Sequence, residues 1–357
     1  MLRAVLASPL NFLLIALPLS WGIRALAGES PWVFLTAALS LVPLAGLIGL
    51  ATDHLARRSG PAWGGFLNAT FGNAAELIIA VVALGGGHVA LVKASITGSI
   101  VGNLLLVLGL SFFVGGWGRK SQRFHRIAAT NMASMLFLAV VALVMPAVFD
   151  LTLYGTLNAR PSSLDRLSFW SAIVLIVAYA GSLLYAFTAH QDLFRSEPGR
   201  ETEPILAPAV SIGLLAGGTV LTTIQAELLV GTLQPALASF GLTELFVGVI
   251  VVAIIGNAAE HYSAVAAARR DQMTLTLEIA VGSSAQIALL VAPAVVLYSF
   301  AIGRPMTLLF NPLEISAIAL SVLATAMVVA DGESNWVEGL QLMAVYLILA
   351  LAFYFVP

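Results

Sequence analysis

Apolar residues occur along this chain in long runs, and short polar interruptions separate them. A helix that crosses a membrane needs about 20 mostly apolar residues. Eleven runs of about this length or longer lie near residues 10–27, 31–56, 62–85, 90–116, 124–148, 166–190, 208–238, 243–268, 273–301, 305–330 and 336–356. The alternating segments of about ten residues that are typical of outer-membrane barrels do not occur. The pattern therefore predicts an all-α polytopic membrane protein with about eleven transmembrane helices.

The composition excludes several other classes of protein. The 357 residues are 60% hydrophobic and 10% charged, whereas a soluble domain carries about 25% charged residues. Lys and Arg number 16 against 18 Asp and Glu, so the net charge is −2 and no basic patch indicates a nucleic-acid partner. The absence of cysteine excludes a disulfide scaffold and a thiolate metal site. Since no Walker, HExxH or Ser/His/Asp motif occurs, we expect neither an enzyme nor a bound cofactor.

An internal repeat organises the sequence. The hexapeptide FGNAAE at residues 71–76 recurs as IGNAAE at residues 255–260, which is an offset of 184, and the same offset carries Gly98-Ser99 onto Gly282-Ser283. Five apolar runs fall in each copy, and because five is odd, the second copy must enter the membrane inverted. We therefore divide the chain into an extra N-terminal helix, a first five-helix repeat, a solvated cytoplasmic linker and a second, inverted repeat, at residues 1–29, 30–190, 191–205 and 206–357.

The loop charges predict the orientation, because Lys and Arg concentrate in cytoplasmic loops. Eleven of the sixteen basic residues fall on the N-terminal side of the predicted membrane, namely Arg3, Arg57, Arg58, Arg119, Lys120, Arg123, Arg126, Arg195, Arg200, Arg269 and Arg270. This split predicts a cytoplasmic N-terminus and an extracytoplasmic C-terminus. The first run imitates a signal peptide, but Arg24 inside the would-be cleavage region argues against cleavage. We expect the protein to reside in a prokaryotic inner membrane. The sequence leaves open whether it forms a homo-oligomer.

Glu76 and Glu260, which end the repeated motif, each fall within an otherwise apolar run. An ionised carboxylate in a membrane is costly unless it pairs, takes up a proton or binds a cation. In each copy an asparagine, Asn73 or Asn257, precedes the glutamate by three residues, so both side chains are expected on one helical face. The preceding glycine allows the helix either to unwind or to pack closely, and unwinding would expose carbonyl oxygens. Two carboxylates, two amides and free carbonyls form an all-oxygen ligand set, which suits Ca²⁺ better than a soft metal.

The runs that follow each motif add weaker polar positions. Ser99 and Asn103 lie four residues apart, and Ser283 and Gln286 lie three apart, so each pair is expected on one face of its helix. Either pair could complete the ion-binding shell or form a gate, and helix packing around the neighbouring glycines is the alternative interpretation.

Three further residues are candidates for a proton pathway that would also use the two glutamates. Asp53 and Glu227 are acids in or near apolar runs, and His261 follows Glu260 directly. An interfacial ion pair with Arg57 is the alternative for Asp53, and a packing role is the alternative for His261.

The motifs resemble those of the calcium/proton antiporter (cation/proton exchanger) family within the calcium/cation antiporter superfamily. The similar segments are FLNATFGNAAELIIA, GSIVGNLLLVLG, IGNAAEHYSAVAAA, VGSSAQIALLVAP and ADGESNWVEGLQLMAVYLILALAFYF. The resemblance covers nearly the whole chain. It implies ten core helices in two inverted repeats plus an extra N-terminal helix, with calcium as the transported substrate and the lipid bilayer as the surroundings.

The resemblance also implies roles for particular residues. Glu76 and Glu260 would bind calcium and protons in turn, and the site or gate residues would be Asn73, Asn257, Ser99, Asn103, Ser283 and Gln286. Proton-pathway candidates would be Asp53, Glu227 and His261. Two departures weaken the correspondence: the family usually has Glu where Asp53 stands, and the acidic segment between the repeats is sparse here.

Exchange of calcium for protons by alternating access is therefore the function that the sequence predicts. A sodium-coupled calcium exchanger of the same superfamily is the first alternative, and a cation channel is less favoured because channels often assemble a pore from several subunits. An intramembrane enzyme ranks last, since only His261 is placed near the acids. Calcium, manganese and other divalent cations are not separated by oxygen ligands alone.

Overall fold

The computed structural model describes residues 8–155, 162–189 and 206–356, and nearly all of them are helical. The first half contains a 3₁₀-helix, Pro9–Ile15, followed by α1 (Ala16–Ala27), α2 (Pro31–Phe71), α3 (Ala74–Gly85), α4 (Val89–Val101), α5 (Leu108–Gly116), α6 (Arg126–Tyr154) and α7 (Ser162–Ala189). The second half contains α8 (Pro208–Gly231), α9 (Leu233–Phe240), α10 (Glu244–Phe246), α11 (Ala253–Gly256), α12 (Ala258–Arg269), α13 (Met273–Leu277), α14 (Ser283–Gln286), α15 (Ala292–Ala301), α16 (Pro312–Val328) and α17 (Trp336–Phe355). The predicted linker at residues 191–205 lies outside the described residues.

π-Helical turns connect several of these helices without a loop. They lie at Gly102–Val107, Val247–Val252, Glu278–Gly282 and Ile287–Val291. The turns join α4 to α5, α10 to α11, α13 to α14 and α14 to α15. A two-residue strand, β1 (Gln122–Arg123), pairs antiparallel with β2 (Glu333–Ser334) and connects two loops at one end of the bundle.

The helical class of the prediction is confirmed, and eight helices in the described part of the chain are long and apolar enough to cross a membrane. They are Pro9–Ala27, Pro31–Ser59, Val89–Gly116, Ala129–Leu153, Ser163–Tyr185, Pro208–Gly231, Met273–Ala301 and Trp336–Phe355. A ninth is added if Leu233–Phe240 and Glu244–Gly256, which meet at 109°, count as one span. Two shorter apolar helices are Ala74–Gly85 and Pro312–Val328.

The count is lower than eleven partly because the repeated motif interrupts its own helix. The predicted run 62–85 breaks at Gly72 and Asn73, and the predicted run 243–268 breaks at Asn257. Each of these runs is therefore divided into pieces that are individually shorter than a membrane span. The predicted run 305–330 is shortened for another reason, because helix begins there only at Pro312.

The end of the second predicted run and the start of the third both fall within the helical range of α2, where a loop was expected. A methyl group added at Gly64 would nevertheless lie 2.5 Å from the carbonyl oxygen of Ala56. Eight residues of straight helix would separate these positions by about 12 Å. The chain therefore bends back sharply within α2, between residues 56 and 64.

Two helices form the centre of the bundle. Of the most apolar stretch in each span, 83% is buried in Val89–Gly116 and 72% in Met273–Ala301, against 11% to 61% in the other spans. The two central helices occupy matching positions in the two repeats, and each carries a π-helical turn after the repeated Gly-Ser pair. The centre of the protein is therefore where Ser99, Asn103, Ser283 and Gln286 lie.

Candidate ion-binding site

Each GNAAE motif lies at a break between two helices. Asn73 has φ −104° and ψ 28°, and Asn257 has φ −93° and ψ 8°, so both adopt the bridge conformation instead of the helical one. Helix resumes at the next residue, so Glu76 and Glu260 lie in the first turn of α3 and α12. Helix is interrupted at Gly72 and Asn73 in the first copy and at Asn257 alone in the second. Each asparagine is therefore the N-cap of the helix that carries its glutamate. Asn257 and Glu260 still reach the same side, since both contact Asn103.

Side chains from both repeats surround Glu260. Its Oε2 atom accepts hydrogen bonds from Nδ2 of Asn103 at 3.3 Å and from Oγ of Ser283 at 2.9 Å. Nδ2 of Asn103 also lies 3.1 Å from Oδ1 of Asn257 and 3.3 Å from Oγ of Ser283. These four side chains therefore form one hydrogen-bonded cluster, in which Glu260 is held by two donors.

A pair of hydrogen bonds repeats across the two halves with the offset of 184. Nδ2 of Asn257 donates to Oγ of Ser99 at 2.9 Å. Oγ of Ser283 lies 3.1 Å from Oδ1 of Asn73, and the single proton of this hydroxyl is shared between that atom and Oε2 of Glu260. Because Asn73 corresponds to Asn257 and Ser99 to Ser283, the same two positions meet twice, each time between opposite halves of the chain.

Gln286 completes the group of predicted site residues. Its Oε1 accepts a hydrogen bond from Nδ2 of Asn73 at 2.6 Å. The corresponding position in the first half is Gly102, so this contact has no counterpart across the repeat. All eight residues that the sequence nominated for the ion site are therefore joined in the structure by direct contacts or a shared cavity.

Glu76 and Glu260 line the same cavity, which has a volume of about 530 Å³. Gly256 permits the approach of Glu76, since a methyl group at Gly256 would lie 3.4 Å from Oε1 of that residue. Asn68, Gly72, Ser283 and Gln286 also line the cavity.

The cavity is lined by an acid that the sequence argument did not nominate. Glu278 lies in the π-helical turn that precedes Ser283, and its side chain is half-buried. Four acidic residues therefore line this cavity, Asp53, Glu76, Glu260 and Glu278.

The predicted proton-pathway residues differ in their positions. Asp53 lines the cavity and also pairs with Arg57, with 2.7 Å between Oδ2 and the guanidinium. Glu227 has an exposed side chain on α8 and is not among the residues that line the cavity. His261 is half-buried on α12 and likewise does not line it.

The polar groups of the site are suited to binding a hard cation or a proton. Its polar atoms are carboxylate, amide and hydroxyl groups, and Ca²⁺ accepts all three kinds of oxygen. Within residues 8–155, 162–189 and 206–356, no three acidic or histidine side chains cluster as a metal site would require. Amide and hydroxyl oxygens would therefore have to supplement the two carboxylates around a bound cation.

Comparison with known proteins supports this chemistry. A model of the family described as sodium/calcium exchanger protein matches residues 29–188 and 210–355. The chain is 44% identical to the Ca(2+)/H(+) antiporter of Synechocystis sp. (strain ATCC 27184 / PCC 6803 / Kazusa) over 97% of its own length and 96% of that protein. It is 40% identical to the Ca(2+)/H(+) antiporter ChaA of Bacillus subtilis (strain 168), over 96% of this chain and 98% of the relative.

A solved structure agrees with the fold. The structure of native YfkE superposes with a TM-score of 0.84 at 37% sequence identity, over 98% of this chain and 100% of YfkE. The resemblance to calcium/proton antiporters that the GNAAE motifs indicated is confirmed. The chain is an integral membrane protein and belongs to the sodium/calcium exchanger protein family.

Proposed function

We propose that this protein is a secondary transporter that exchanges Ca²⁺ for protons across a membrane, with Glu76 and Glu260 binding the cation or protons in turn. The observation that carries the proposal is that the glutamates of both GNAAE motifs line one cavity. The names of the two relatives at 44% and 40% identity, both Ca(2+)/H(+) antiporters, support it.

The exchange follows from competition for two negative charges. Two ionised carboxylates carry a charge of −2, which one Ca²⁺ or two protons neutralise equally. Metal binding to such ligands requires that they be deprotonated, so binding releases protons. Neither state then leaves an uncompensated charge in the membrane, which would be costly. A site that binds either one Ca²⁺ or two protons, but not both at once, is sufficient to couple the two fluxes in opposite directions.

The amides and hydroxyls would provide the remaining ligands. We assign Asn73, Asn257, Ser99, Asn103, Ser283 and Gln286 to the ion site, where their oxygens would replace water around the cation. The hydrogen bonds that join these groups to one another and to Glu260 support this assignment. Asp53 remains the best-supported of the proton-pathway candidates because it lines the cavity.

We further propose two inverted five-helix repeats, preceded by an extra N-terminal helix, with eleven membrane crossings in all. The separate family matches at 29–188 and 210–355 support a division close to residues 30–190 and 206–357. The mirrored contacts Asn257–Ser99 and Asn73–Ser283 are what a pseudo-twofold axis in the membrane plane would produce. In this arrangement the two broken helices at Asn73 and Asn257 each count as one span.

The energetics set the limits of such an exchange. A hundredfold gradient of Ca²⁺ costs about 2.7 kcal/mol, and two protons that move down one pH unit release about 2.7 kcal/mol. An exchange of two protons for one Ca²⁺ is electroneutral. A third proton would couple transport to the membrane potential and add about 2.3 kcal/mol per 100 mV.

Purified protein in proteoliposomes tests the proposal. With a pH gradient imposed, an internal pH dye present and sodium absent, we expect Ca²⁺ uptake with matching proton movement. Calcium movement that depends on sodium and leaves the internal pH unchanged would instead support sodium-coupled exchange. The description of the matching family also names this alternative. Ionic flux far above transporter turnover rates would support a channel.

A further inference from the structure

Two separate spaces meet at Glu76. One is the cavity of about 530 Å³ that Glu76 shares with Glu260. The other is a void of about 10 Å³, which is room for about one water molecule. Among the residues that the structure describes, Glu76 is the one carboxylate that lines both spaces.

The residues that line the void correspond to residues that line the cavity. Ten residues line the void. Six of them have their counterpart, at the offset of 184, in the lining of the cavity: Glu76, Ile79, Ser95, Ser99, Val252 and Gly256. The counterparts are, in the same order, Glu260, Ser263, Ile279, Ser283, Asn68 and Gly72. Corresponding parts of the two repeats therefore line the two spaces. One of these spaces is a wide cavity, and the other is collapsed.

We propose that the void is the collapsed second vestibule of the transporter and that Ser95 is an ion-pathway residue, which receives the cation from Glu76 when this side opens. The inference rests on the proposed function, because alternating access around inverted repeats is what makes the two spaces interchangeable. It adds a residue that neither the repeated motif nor the ion site includes.

The chemistry of Ser95 suits this role. Glu76, Ser95 and Ser99 are the polar residues of the void, and the remaining lining residues are apolar or glycine. Ser95 lies one helical turn from Ser99 on α4, so the two hydroxyls and Glu76 form a polar line through an apolar wall. Oγ of Ser95 donates its proton to the carbonyl oxygen of Val92 at 2.9 Å. The oxygen lone pairs stay available, and a hydroxyl oxygen is an acceptable ligand for Ca²⁺.

Close packing between α4 and the π-helical turn Val247–Val252 keeps this side shut. A methyl group at Gly98 would overlap the carbonyl oxygen of Val249, so the two backbones touch there. A methyl group at Gly248 would overlap the side chain of Ala94. The vestibule can open only if α4 separates from this turn.

A polar contact at the end of α4 adds to the closure. Oε1 of Glu244 lies 3.2 Å from Nδ1 of His88 and also accepts a hydrogen bond from the backbone nitrogen of Leu91 at 3.2 Å. The contacts at Glu244, Gly248 and Gly98 follow one another along the same helix pair. The collapsed vestibule is therefore closed along a continuous seam. The half-buried Ser95 lies at this seam, since a methyl group at Gly248 would be 3.2 Å from its backbone nitrogen.

Cysteine labelling tests the assignment directly, because the natural sequence contains no cysteine. Ser95→Cys, Ile279→Cys and Ser321→Cys are prepared as single-cysteine variants. Ser321 is the matched control: it is fully buried on α16, and its hydroxyl also donates to a carbonyl of its own helix. A membrane-impermeant methanethiosulfonate reagent is then applied to inside-out and to right-side-out vesicles with Ca²⁺ present on both sides.

We expect Ile279→Cys to react from one face and Ser95→Cys to react from the opposite face, with loss of Ca²⁺ transport on modification. If the second state is populated at about 1 to 10%, the rate for Ser95→Cys falls about ten- to hundredfold below that of an exposed thiol but stays measurable. Reaction of Ser95→Cys from the same face as Ile279→Cys, or a rate equal to that of Ser321→Cys from both faces, would overturn the proposal.

The labelling experiment tests the role of Ser95 independently of the proposed exchange of Ca²⁺ for protons. Proton coupling is measured on the unmodified protein in proteoliposomes, whereas labelling reports which face reaches Ser95 whatever the coupling ion is. Ser95→Ala provides a second measurement that does not depend on tolerance of a thiol. We expect it to raise the half-saturating Ca²⁺ concentration more from the opposite face than from the cavity face, and an unchanged value from both faces would contradict the pathway role.

Discussion

Nδ2 of Asn103 lies 3.3 Å from Oε2 of Glu260, and the same amide contacts Asn257 and Ser283. In the described part of the chain, no side-chain donor makes the equivalent contact with Glu76. The two glutamates are therefore related by the repeat but held differently. Glu260 is fixed by two donors, whereas Glu76 lies at the junction of the two spaces.

Asn103→Ala removes one of these donors, and we expect weaker binding of Ca²⁺ with the protein still folded. A hydrogen bond to a charged group contributes about 1.5–3 kcal/mol, which corresponds to roughly a tenfold or greater rise in the half-saturating Ca²⁺ concentration. The measurement is Ca²⁺ uptake as a function of concentration. Asn131→Ala, at an exposed position on α6, is the control. Equal affinities for the two variants would show that Asn103 does not support the ion site.

Glu76→Gln and Glu260→Gln each replace a carboxylate by an amide of nearly the same shape. We expect both variants to insert into the membrane and to lose exchange, because one remaining charge cannot balance either Ca²⁺ or two protons. Uptake in proteoliposomes and thermal unfolding in detergent separate loss of transport from loss of folding. Glu29→Gln, at an exposed ion pair with Arg24, is the control. Normal Ca²⁺ flux in either site variant would contradict the assignment.

The sequence was sufficient to predict that these polar residues lie together because the evidence for them was duplicated. Two GNAAE motifs at one offset indicated Glu76 and Glu260, and the same offset related Ser99 to Ser283. The structure joins all eight nominated residues. The helical class of the fold, the long apolar spans and the break at each asparagine also follow from local sequence.

Glu278 could not be predicted because its position depends on a π-helical turn. In a regular α-helix, Glu278 and Ser283 would point about 140° apart. A π-helical turn closes with hydrogen bonds between residues five apart, so it brings both positions to one side. Hydrophobic periodicity contains no signal for such a turn. The sharp bend within α2, in contrast, lies where the sequence separates the second and third apolar runs, between residues 56 and 62.

Proton competition gives the direction of the pH dependence. Calcium binds the deprotonated carboxylates, so acidification of the side to which the cavity opens should raise the half-saturating Ca²⁺ concentration measured from that side. If each Ca²⁺ displaces two protons, the limit is about a hundredfold per pH unit. Uptake curves at several pH values, at constant sodium, provide the measurement. A maximal rate that recovers at high Ca²⁺ indicates competition, and curves that do not move with pH would contradict proton coupling at these glutamates.

Gly98→Ala should destabilise the protein, because the added methyl group would overlap the carbonyl oxygen of Val249. Overpacking against a backbone atom typically costs about 1–3 kcal/mol. Gly213→Ala is the matched control, since nothing lies within 4 Å of a methyl group added there. For this exposed helical position we expect unchanged or slightly higher stability. Thermal unfolding of both variants in the same detergent provides the comparison, and equal melting temperatures would show that the seam between α4 and Val247–Val252 is looser than described.

Glu278→Gln should weaken the attraction of cations to the cavity and leave the opposite side unaffected. The counterpart of Glu278 at the offset of 184 is Ala94, so the second vestibule has no acid at this position. Loss of an interaction of about 1 kcal/mol corresponds to about a fivefold rise in the half-saturating Ca²⁺ concentration. Because salt screens such an effect, we expect the rise at low ionic strength and a smaller one at high ionic strength. Glu333→Gln, which removes a surface ion pair with Arg123, is the control. A shift of equal size from both faces, or one that salt leaves unchanged, would mean that Glu278 acts on the ion site itself and not on the approach to it.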